Sequence, residues 1–233
     1  MINPTLDIGY FREQLVARRC VQIPGFLQEA PARSILECLQ RDVPWSLAYR
    51  ANGESKIVHR DEYRSMSDVQ VAGLLAEANM QAKGEYGFAY ESYMMVKAYI
   101  EKQDQGLLLH RVLEYLNSAE FLDFARSVTG LRAIRRTNAQ ATRYRPGHFL
   151  RMHDDVDLSD GRLAAYVLNL TPGWHPDWGG LLHLQRDDGM ISEILFPFWN
   201  TLSLFLVPQF HFVSGVMPYA EQDRLAITGW FQT

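Results

Sequence analysis

Apolar residues recur at helical spacing between residues 6 and 130, as at Ile8, Phe11 and Leu15. Ser67 stands where it can cap one helix, and Gly130 stands where it can end the last one. Short extended pieces, such as Val21 to Ile23, interrupt the helical spacing. We therefore expect residues 1–130 to form a mainly helical N-terminal portion with a few strands, packed on the part that follows.

From residue 131 onward the pattern changes to short apolar runs separated by turns that contain glycine or proline. Eight strands at short, fairly even spacing are typical of a double-sheet jelly roll. The expected fold class is α+β: a double-stranded β-helix (jelly-roll) core over residues 131–233, with the N-terminal helices packed on one face, in one structural domain overall. The predicted strands are Ala133–Ala141, His148–Met152, Leu163–Leu170, Gly180–Gln185, Ile191–Leu195, Thr201–Val207, Phe212–Val216 and Leu225–Phe231.

Charge and apolar content argue against a nucleic-acid-binding protein and against a membrane protein. The chain has 233 residues and a net charge of −4, so its charge gives no reason to expect binding to nucleic acid or to a membrane surface. Residues 194–220 carry no charge, but Pro197, Pro208 and Pro218 interrupt any apolar helix long enough to span a bilayer. Without a visible secretory signal, a cytoplasmic protein is the default expectation, and the oligomeric state stays open.

A histidine and an aspartate follow one of the predicted strands, at His153 and Asp155. Side chains two residues apart on an extended segment point the same way, so both could bind one metal ion. In an eight-stranded jelly roll the second and seventh strands are antiparallel neighbours, which places His211 opposite His153. Two histidines and one carboxylate on one face form the arrangement that non-haem Fe(II) oxygenases use. We therefore expect a metal site at His153, Asp155 and His211.

A second pair with the same spacing, His175 and Asp177, lies in a loop rich in proline, glycine and tryptophan. No histidine-bearing strand is expected opposite it, so we interpret His175 as an ordinary loop residue. His148 and His183 alternate with apolar neighbours and are expected to be structural histidines.

Arg224 opens the last predicted strand, and it shares one face of that strand with Thr228. An arginine that points into an apolar barrel needs an anion, because an unpaired buried charge is costly. A carboxylate matches the fork of its guanidinium group. From Arg224 alone, a structural salt bridge to Asp223 or Asp155 is the favoured interpretation.

Taken in order, these segments resemble the prolyl-hydroxylase-like branch of the 2-oxoglutarate- and Fe(II)-dependent dioxygenases. The resemblance covers about residues 130–233, and residues 168–174 are most similar to the subgroup of ribosomal-protein prolyl hydroxylases. The family pattern is matched by Tyr144 to Asp155, by Arg162 with Ala165 to Leu170, by Gly179 to Leu182, by Phe210 to Val213 and by Arg224 to Phe231.

The resemblance implies that His153, Asp155 and His211 bind Fe(2+), and that Arg224 binds the distal carboxylate of 2-oxoglutarate with help from Tyr144. Asn169 stands where some members have a tyrosine that reaches the same carboxylate. The expected catalytic residues are the metal ligands alone. O2 is the second cosubstrate, and ascorbate is a candidate reductant.

The implied function is hydroxylation of a C–H bond, in a prolyl residue of a protein or peptide, with release of succinate and CO2. One alternative is the same chemistry on a free amino acid or other small molecule. A second alternative is a non-catalytic metal-binding jelly-roll module. The alternating aromatics Tyr86, Phe88 and Tyr90 could line a substrate cleft, although core packing explains most such patterns.

Overall fold

Helices in the first part of the chain begin and end at residues suited to those positions. Ser67 and Gln70 form a reciprocal capping box, and Gly130 ends the last helix in the left-handed conformation that glycine adopts readily. The computed structural model describes residues 1–157 and 159–233. Its helices are α1 (Ile8–Arg18), α2 (Glu29–Arg41), α3 (Arg60–Ser65), α4 (Asp68–Gln81), α5 (Met95–Ile100), α6 (Leu108–Leu116) and α7 (Ala119–Thr129).

Strands occur along the whole chain, although most of them follow residue 131. Four of them precede α5: β1 (Cys20–Ile23), β2 (Ser46–Ala51), β3 (Glu54–Val58) and β4 (Phe88–Tyr93). The others are β5 (Arg136–Thr137), β6 (Gln140–Tyr144), β7 (Phe149–His153), β8 (Arg162–Asn169), β9 (Leu182–Gln185), β10 (Ile191–Leu195), β11 (Thr201–Leu206), β12 (His211–Val213) and β13 (Arg224–Gln232).

The strands after residue 131 pair in the order of a jelly roll. One set runs β6-β13-β8-β11 and the other runs β7-β12-β9-β10, with antiparallel pairing between neighbours. The expected α+β class and its double-stranded β-helix core are confirmed. Predicted strands two and seven, which are β7 and β12, are neighbours as expected.

Three predicted strands differ clearly from the observed ones. The predicted run Phe212–Val216 is observed as His211–Val213. The run Ala133–Ala141 is divided into β5 and β6. The run Gly180–Gln185 begins only at Leu182, because Gly179 and Gly180 have φ angles of 71° and 62°. A Cβ atom on Gly179 would lie 2.0 Å from the carbonyl oxygen of Gly215, so this close approach of two backbones requires glycine.

The N-terminal portion adds strands to the barrel as well as helices. β1 pairs with β11, and β4 lies between β6 and β7, so that it joins the edges of the two jelly-roll sets. Helices α1, α2, α5, α6 and α7 bury apolar residues in one cluster with residues of β8, β11 and β13, including Tyr166, Leu204 and Ile227. Helices α3 and α4 pack in a separate cluster against β2, β3, β4 and β7. On this basis we propose that residues 1–130 and 131–233 fold as one structural domain.

No helix among the described residues is long and apolar enough to cross a membrane.

An ion network at Glu91 connects β4 to the barrel. Glu91 is fully buried and stands opposite Arg143 of β6 in register, and the Arg143 guanidinium donates a hydrogen bond to its carboxylate. The Tyr63 hydroxyl donates a second hydrogen bond over 2.6 Å, and Arg145 Nη1 lies 3.6 Å from the same carboxylate. A buried carboxylate is tolerated only with such partners.

Glu91→Ala should lower the free energy of unfolding by about 3 kcal/mol, because it leaves Arg143 and Tyr63 without their buried partner. Urea denaturation followed by circular dichroism measures the loss. Glu101→Ala is the matched control, since Glu101 is exposed and 4.0 Å from Lys97; its effect should stay within about 0.5 kcal/mol. Equal effects of the two variants would contradict the role of the network.

His148 makes the stability depend on pH. It is buried at the turn before β7, where its Nδ1 accepts a hydrogen bond from the backbone N–H of Arg145. Burial lowers its pKa to about 4, whereas an unfolded histidine titrates near ~6.5. The unfolded chain therefore takes up a proton first, and the contribution of His148 to stability is present above pH ~6.5 and is lost as the pH falls toward 4.

Relative to a His148→Gln variant, the wild-type protein should lose about 3 kcal/mol of unfolding free energy between pH ~6.5 and pH ~4. Urea denaturation of both proteins across this range measures the difference. Parallel profiles would show that His148 is protonated equally in the folded and unfolded states, which would contradict the lowered pKa.

Candidate metal centre and cosubstrate cavity

The ends of two paired strands bring the predicted metal ligands together. His153 ends β7 and His211 begins β12, and the two residues are direct partners in the antiparallel register. Their ring centroids lie 4.1 Å apart. Asp155 contacts both rings, with Oδ1 3.3 Å from His153 Nε2 and Oδ2 3.4 Å from His211 Nε2.

One ligand atom from each of His153, Asp155 and His211 lies within 4.8 Å of the others. Among the described residues, this is the one group of three His, Cys, Asp or Glu side chains with that geometry. The predicted ligands are therefore close enough to bind one ion.

Each histidine is held in the tautomer that a metal site needs. His153 Nδ1 lies 2.9 Å from the carbonyl oxygen of Arg151, and His211 Nδ1 lies 2.7 Å from that of Gln209. A carbonyl oxygen only accepts hydrogen bonds, so Nδ1 of each ring carries the proton and donates it. The lone pair of each Nε2 is then free and faces Asp155, in the pattern typical of metal-binding histidines.

Asp155 adopts a left-handed backbone conformation, with φ at 62°, which turns its carboxylate back toward the two rings. Burial raises the pKa of Asp155, but the neighbouring His153 and His211 side chains lower it by more, and the net shift is downward. Burial, with a contribution from His153, lowers the pKa of His211 to about 4. Near neutral pH the site therefore offers an ionised carboxylate and a neutral His211 imidazole, which suits a divalent cation.

Arg224 is a buried cation without an anionic partner among the described residues. It is 3% exposed, and its Nε and Nη1 atoms are buried without a hydrogen-bond partner there. Its Nη2 donates to Asn169 Oδ1 over 3.4 Å, and its guanidinium carbon lies 5.2 Å from the centre of the Tyr144 ring. Burial lowers the pKa of Arg224, but a guanidinium group keeps its proton in proteins.

Arg224 does not form the salt bridge to Asp223 or Asp155 that was favoured from Arg224 alone. Asp223 instead lies 3.7 Å from both Arg143 and Arg145, and Asp155 lies against the two histidines. An unpaired buried guanidinium is strongly destabilising. A carboxylate-bearing ligand would remove that cost, since it can accept from two nitrogens of the fork.

Tyr144 and Asn169 stand on the strands that flank Arg224. Tyr144 of β6 is the direct partner of Arg224 in register, and its ring stacks on Tyr90 at 5.2 Å with an interplanar angle of 13°. Burial raises the pKa of Tyr144, so its hydroxyl is protonated and can donate. Asn169 of β8 uses its amide N–H groups on the carbonyl oxygens of Val167 and Thr201 and on Ser203. In this structure Asn169 therefore contacts Arg224 through its oxygen.

A single cavity of about 370 Å³ contains both groups of residues. The metal ligands line it together with Arg224 and Tyr144, and Asn169 is absent from its described lining. Trp230 also lines the cavity, although the sequence pattern gave it no role. Its buried indole N–H has no hydrogen-bond partner among the described residues. The guanidinium carbon of Arg162 lies 3.8 Å from the centre of its ring. The cavity is also lined by Tyr86, Tyr90, Thr142, Leu150, Asp154, Asp157, Val167, Leu182, Phe205, Val213 and Thr228.

The second His-x-Asp pair is elsewhere. His175 and Asp177 lie on an exposed loop with a short 3-10 turn, where they contact each other. Their side chains are 64% and 63% exposed, and no third ligand joins them among the described residues. The expectation that His175 is a loop residue agrees with this position.

The donor set fits Fe(II), because two imidazole nitrogens and one carboxylate on one side of an ion leave positions for cosubstrates. The unpaired Arg224 fits a dicarboxylate in the same cavity. These two observations are independent of each other, since one concerns β7 and β12 and the other concerns β13.

Residues 139–232 match the family model of the 2OG-Fe(II) oxygenase superfamily. The chain is similar to prolyl 3-hydroxylase OGFOD1 of Mus musculus, with 34% identity over 126 residues that cover 51% of this chain and 23% of that protein. The Xenopus laevis protein of the same name is 30% identical over 128 residues, 52% of this chain and 24% of that protein. The chain thus matches about a quarter of the length of these curated relatives.

Solved structures show the same fold at low identity. A prolyl-4-hydroxylase of Pseudomonas putida superposes with a TM-score of 0.61 at 20% identity, covering 97% of this chain and 98% of that one. A prolyl hydroxylase of Trichoplax adhaerens, in complex with a hypoxia inducible factor peptide fragment, gives a TM-score of 0.62 at 18% identity, covering 97% and 88%.

The name of the matched family specifies 2-oxoglutarate and Fe(II), which accords with the donor set and with the unpaired Arg224. Residues 139–232 of the chain are thus similar to the 2OG-Fe(II) oxygenase superfamily, and the similar proteins named above include prolyl hydroxylases.

Proposed function

We propose that this protein is an Fe(II)- and 2-oxoglutarate-dependent dioxygenase that hydroxylates a prolyl residue in a protein or peptide. The observation that carries the proposal is the buried guanidinium of Arg224, which has no anionic partner among the described residues and lines the same cavity as the candidate metal ligands. A metal-binding module without a cosubstrate would have no use for this costly charge.

In this proposal His153, Asp155 and His211 hold the iron. One carboxylate and two neutral imidazoles leave a net positive charge on the Fe(II) site, which favours an anionic chelating cosubstrate. The backbone carbonyls of Arg151 and Gln209 fix the two rings, so little reorganisation is needed when the metal binds.

Arg224 and Tyr144 receive the distal carboxylate of 2-oxoglutarate. Arg224 offers Nε and Nη1, which have no other partners among the described residues, and Tyr144 can donate its hydroxyl hydrogen. Asn169 contributes indirectly: its oxygen accepts from Nη2, and this contact orients the guanidinium toward the cavity. The assignment of Asn169 thereby changes from a direct cosubstrate contact to a residue that positions Arg224.

With iron bound, one atom of O2 would convert the C–H bond into C–OH, and the other would oxidise 2-oxoglutarate to succinate and CO2. The contribution of the chain is to bind and orient. The apolar cavity walls, among them Leu182, Phe205 and Val213, exclude water from the reacting centre, and Trp230 belongs to the same lining.

A prolyl residue is proposed as the target because the relatives similar in sequence are named prolyl 3-hydroxylases, and because Tyr86 and Tyr90 give the cavity an aromatic side on which a pyrrolidine ring can pack. Hydroxylation of a free amino acid or other small molecule is the alternative. We also propose a cytoplasmic location, which suits the two buried free cysteines, Cys20 and Cys38, and ascorbate as the external reductant.

Arg224→Met should weaken 2-oxoglutarate binding about 10- to 150-fold, because it removes a charge-assisted pair worth about 1.5–3 kcal/mol. The anaerobic Fe(II) protein is titrated with 2-oxoglutarate, and the visible charge-transfer band of the chelated keto acid is followed. Iron binding should stay intact, and His153→Ala should abolish the band, whereas His175→Ala should leave it unchanged. Unchanged affinity in Arg224→Met would show that Arg224 has a purely structural role.

The wild-type protein with Fe(II), 2-oxoglutarate and O2 should release succinate in a proline-peptide-dependent manner and add one oxygen atom to the prolyl residue. Mass spectrometry of the peptide and an enzymatic succinate assay measure the two products. A matched peptide with alanine in place of proline is the control. Turnover of free amino acids without turnover of any peptide would replace the proposed substrate by the small-molecule alternative, and succinate release with neither would contradict both.

A further inference from the structure

A second arginine lies next to the cavity, at Arg50 of β2, and it takes no part in the proposed binding of iron or 2-oxoglutarate. The side chain is half-buried, and its Nε atom is fully buried without a hydrogen-bond partner among the described residues. None of the ion pairs formed by the described residues includes Arg50. It is therefore a partly desolvated cation without a counter-charge.

The strand register places Arg50 on the same face as the cavity wall. Ala48 of β2 is the direct partner of Tyr90 of β4, so these two side chains point to the same side of the sheet. Arg50 and Phe88 each lie two residues farther along their strands and share that face, because side chains alternate with period two. Tyr90 itself lines the cavity, and the sheet thus continues from the cavity to Arg50 without a change of side.

Aromatic rings form a continuous surface between Arg50 and the metal ligands. The Arg50 guanidinium carbon lies 5.8 Å from the centre of the Tyr86 ring, and Tyr86 in turn lies 5.7 Å from the ring of His153. Tyr86 also contacts Phe88 at 5.8 Å, and Phe88 contacts Tyr90 at 5.6 Å. One tyrosine ring therefore separates the unpaired cation from a candidate iron ligand.

Tyr86 lines the cavity and is also 42% exposed. Its ring therefore borders both the cavity and solvent, and a substrate can reach the metal site past it. A group attached to the substrate a short distance from the reacting carbon would then come beside the guanidinium. The fork of an arginine matches a carboxylate in geometry and in charge.

We propose that Arg50 and Tyr86 form a subsite for a carboxylate of the substrate, next to the residue that is hydroxylated. The inference rests on the proposed function, and it adds that the preferred substrate carries a negative charge close to its target carbon. Two sources share this chemistry. One is the side chain of an acidic residue that flanks the target in a peptide, and the other is the α-carboxylate of a free amino acid or of a chain end.

Amidated proline peptides with a single Glu, placed at each position within three residues of the proline, are compared with the same peptides carrying Gln. Binding to the anaerobic Fe(II)–2-oxoglutarate protein is measured by titration calorimetry, and KM for succinate release is measured in parallel. At one position or more, the Glu peptide should bind about 3- to 10-fold more tightly than its Gln partner, as expected for a partly exposed ion pair.

Arg50→Gln should bring this ratio to about one and leave the affinity for the Gln peptides unchanged. Arg50→Lys should restore part of the preference, because it keeps the charge and loses the planar fork. Arg111→Gln is the matched control: Arg111 is exposed on α6, and its substitution should preserve the preference of the wild-type protein. Thermal unfolding of each variant shows that a changed ratio does not come from a misfolded protein.

Two further ligands distinguish the sources of the carboxylate. If the α-carboxylate is the one recognised, free proline or a peptide ending in a free acid should lose affinity in Arg50→Gln, while an internal Glu should have no effect. If Glu and Gln peptides bind alike and no ligand responds to Arg50→Gln, or if nothing binds, the subsite does not exist. Peptide turnover without any charge preference would overturn the subsite and leave the proposed function intact. An Arg50-dependent preference in binding without succinate release would support the carboxylate subsite and contradict the proposed enzymatic function.

Discussion

The antiparallel pairing of β7 with β12 is the interaction on which the candidate metal site depends. It places His153 directly opposite His211, although 57 residues lie between them in the chain, and it brings both rings to the same side of the sheet. The pairing also fixes the carbonyl oxygens of Arg151 and Gln209, which accept from the Nδ1 atoms. A slip of one residue in this register would turn one ring to the other face and remove the site. β9, which pairs with the other edge of β12, holds the strand from the second side.

Most of the buried polar atoms without a hydrogen-bond partner lie at the cavity or beside it. Buried side-chain nitrogens without a hydrogen-bond partner number five among the described residues, and four of them belong to Arg224, Trp230 and Arg50 at the cavity or beside it. Folded proteins satisfy nearly all such atoms, so a cluster of exceptions requires a reason. A ligand that carries carboxylates supplies one. By contrast, Arg143 of β6 and Arg145 in the turn after it form ion pairs with Glu91 and Asp223. These pairs stabilise the fold.

The sequence predicted much of the barrel and the site, because both depend on local patterns. Alternation and turn residues located the eight predicted strands after residue 131, one of which is divided into β5 and β6. To bring His153, Asp155 and His211 together, the prediction then needed only the strand order of a jelly roll. The hairpin of β2 and β3 was not predicted, although Asn52 and Gly53 form the two-residue turn between them and have the positive φ angles of a type I′ turn. The position of β4 between β6 and β7 could not be derived from periodicity, since a single strand pattern does not reveal its partners. The roles of Trp230 and Arg50 also depend on such non-local contacts.

One cavity, in our proposal, holds both a metal ion on His153, Asp155 and His211 and a dicarboxylate on Arg224. A crystal structure of the protein with Mn(II) and 2-oxoglutarate, prepared without O2, is the decisive measurement. We expect one metal ion bound by the three side chains and chelated by 2-oxoglutarate, with the distal carboxylate within hydrogen-bond distance of Arg224 and Tyr144. A metal ion at His175 and Asp177, or a 2-oxoglutarate whose distal carboxylate does not contact Arg224, would contradict the proposal.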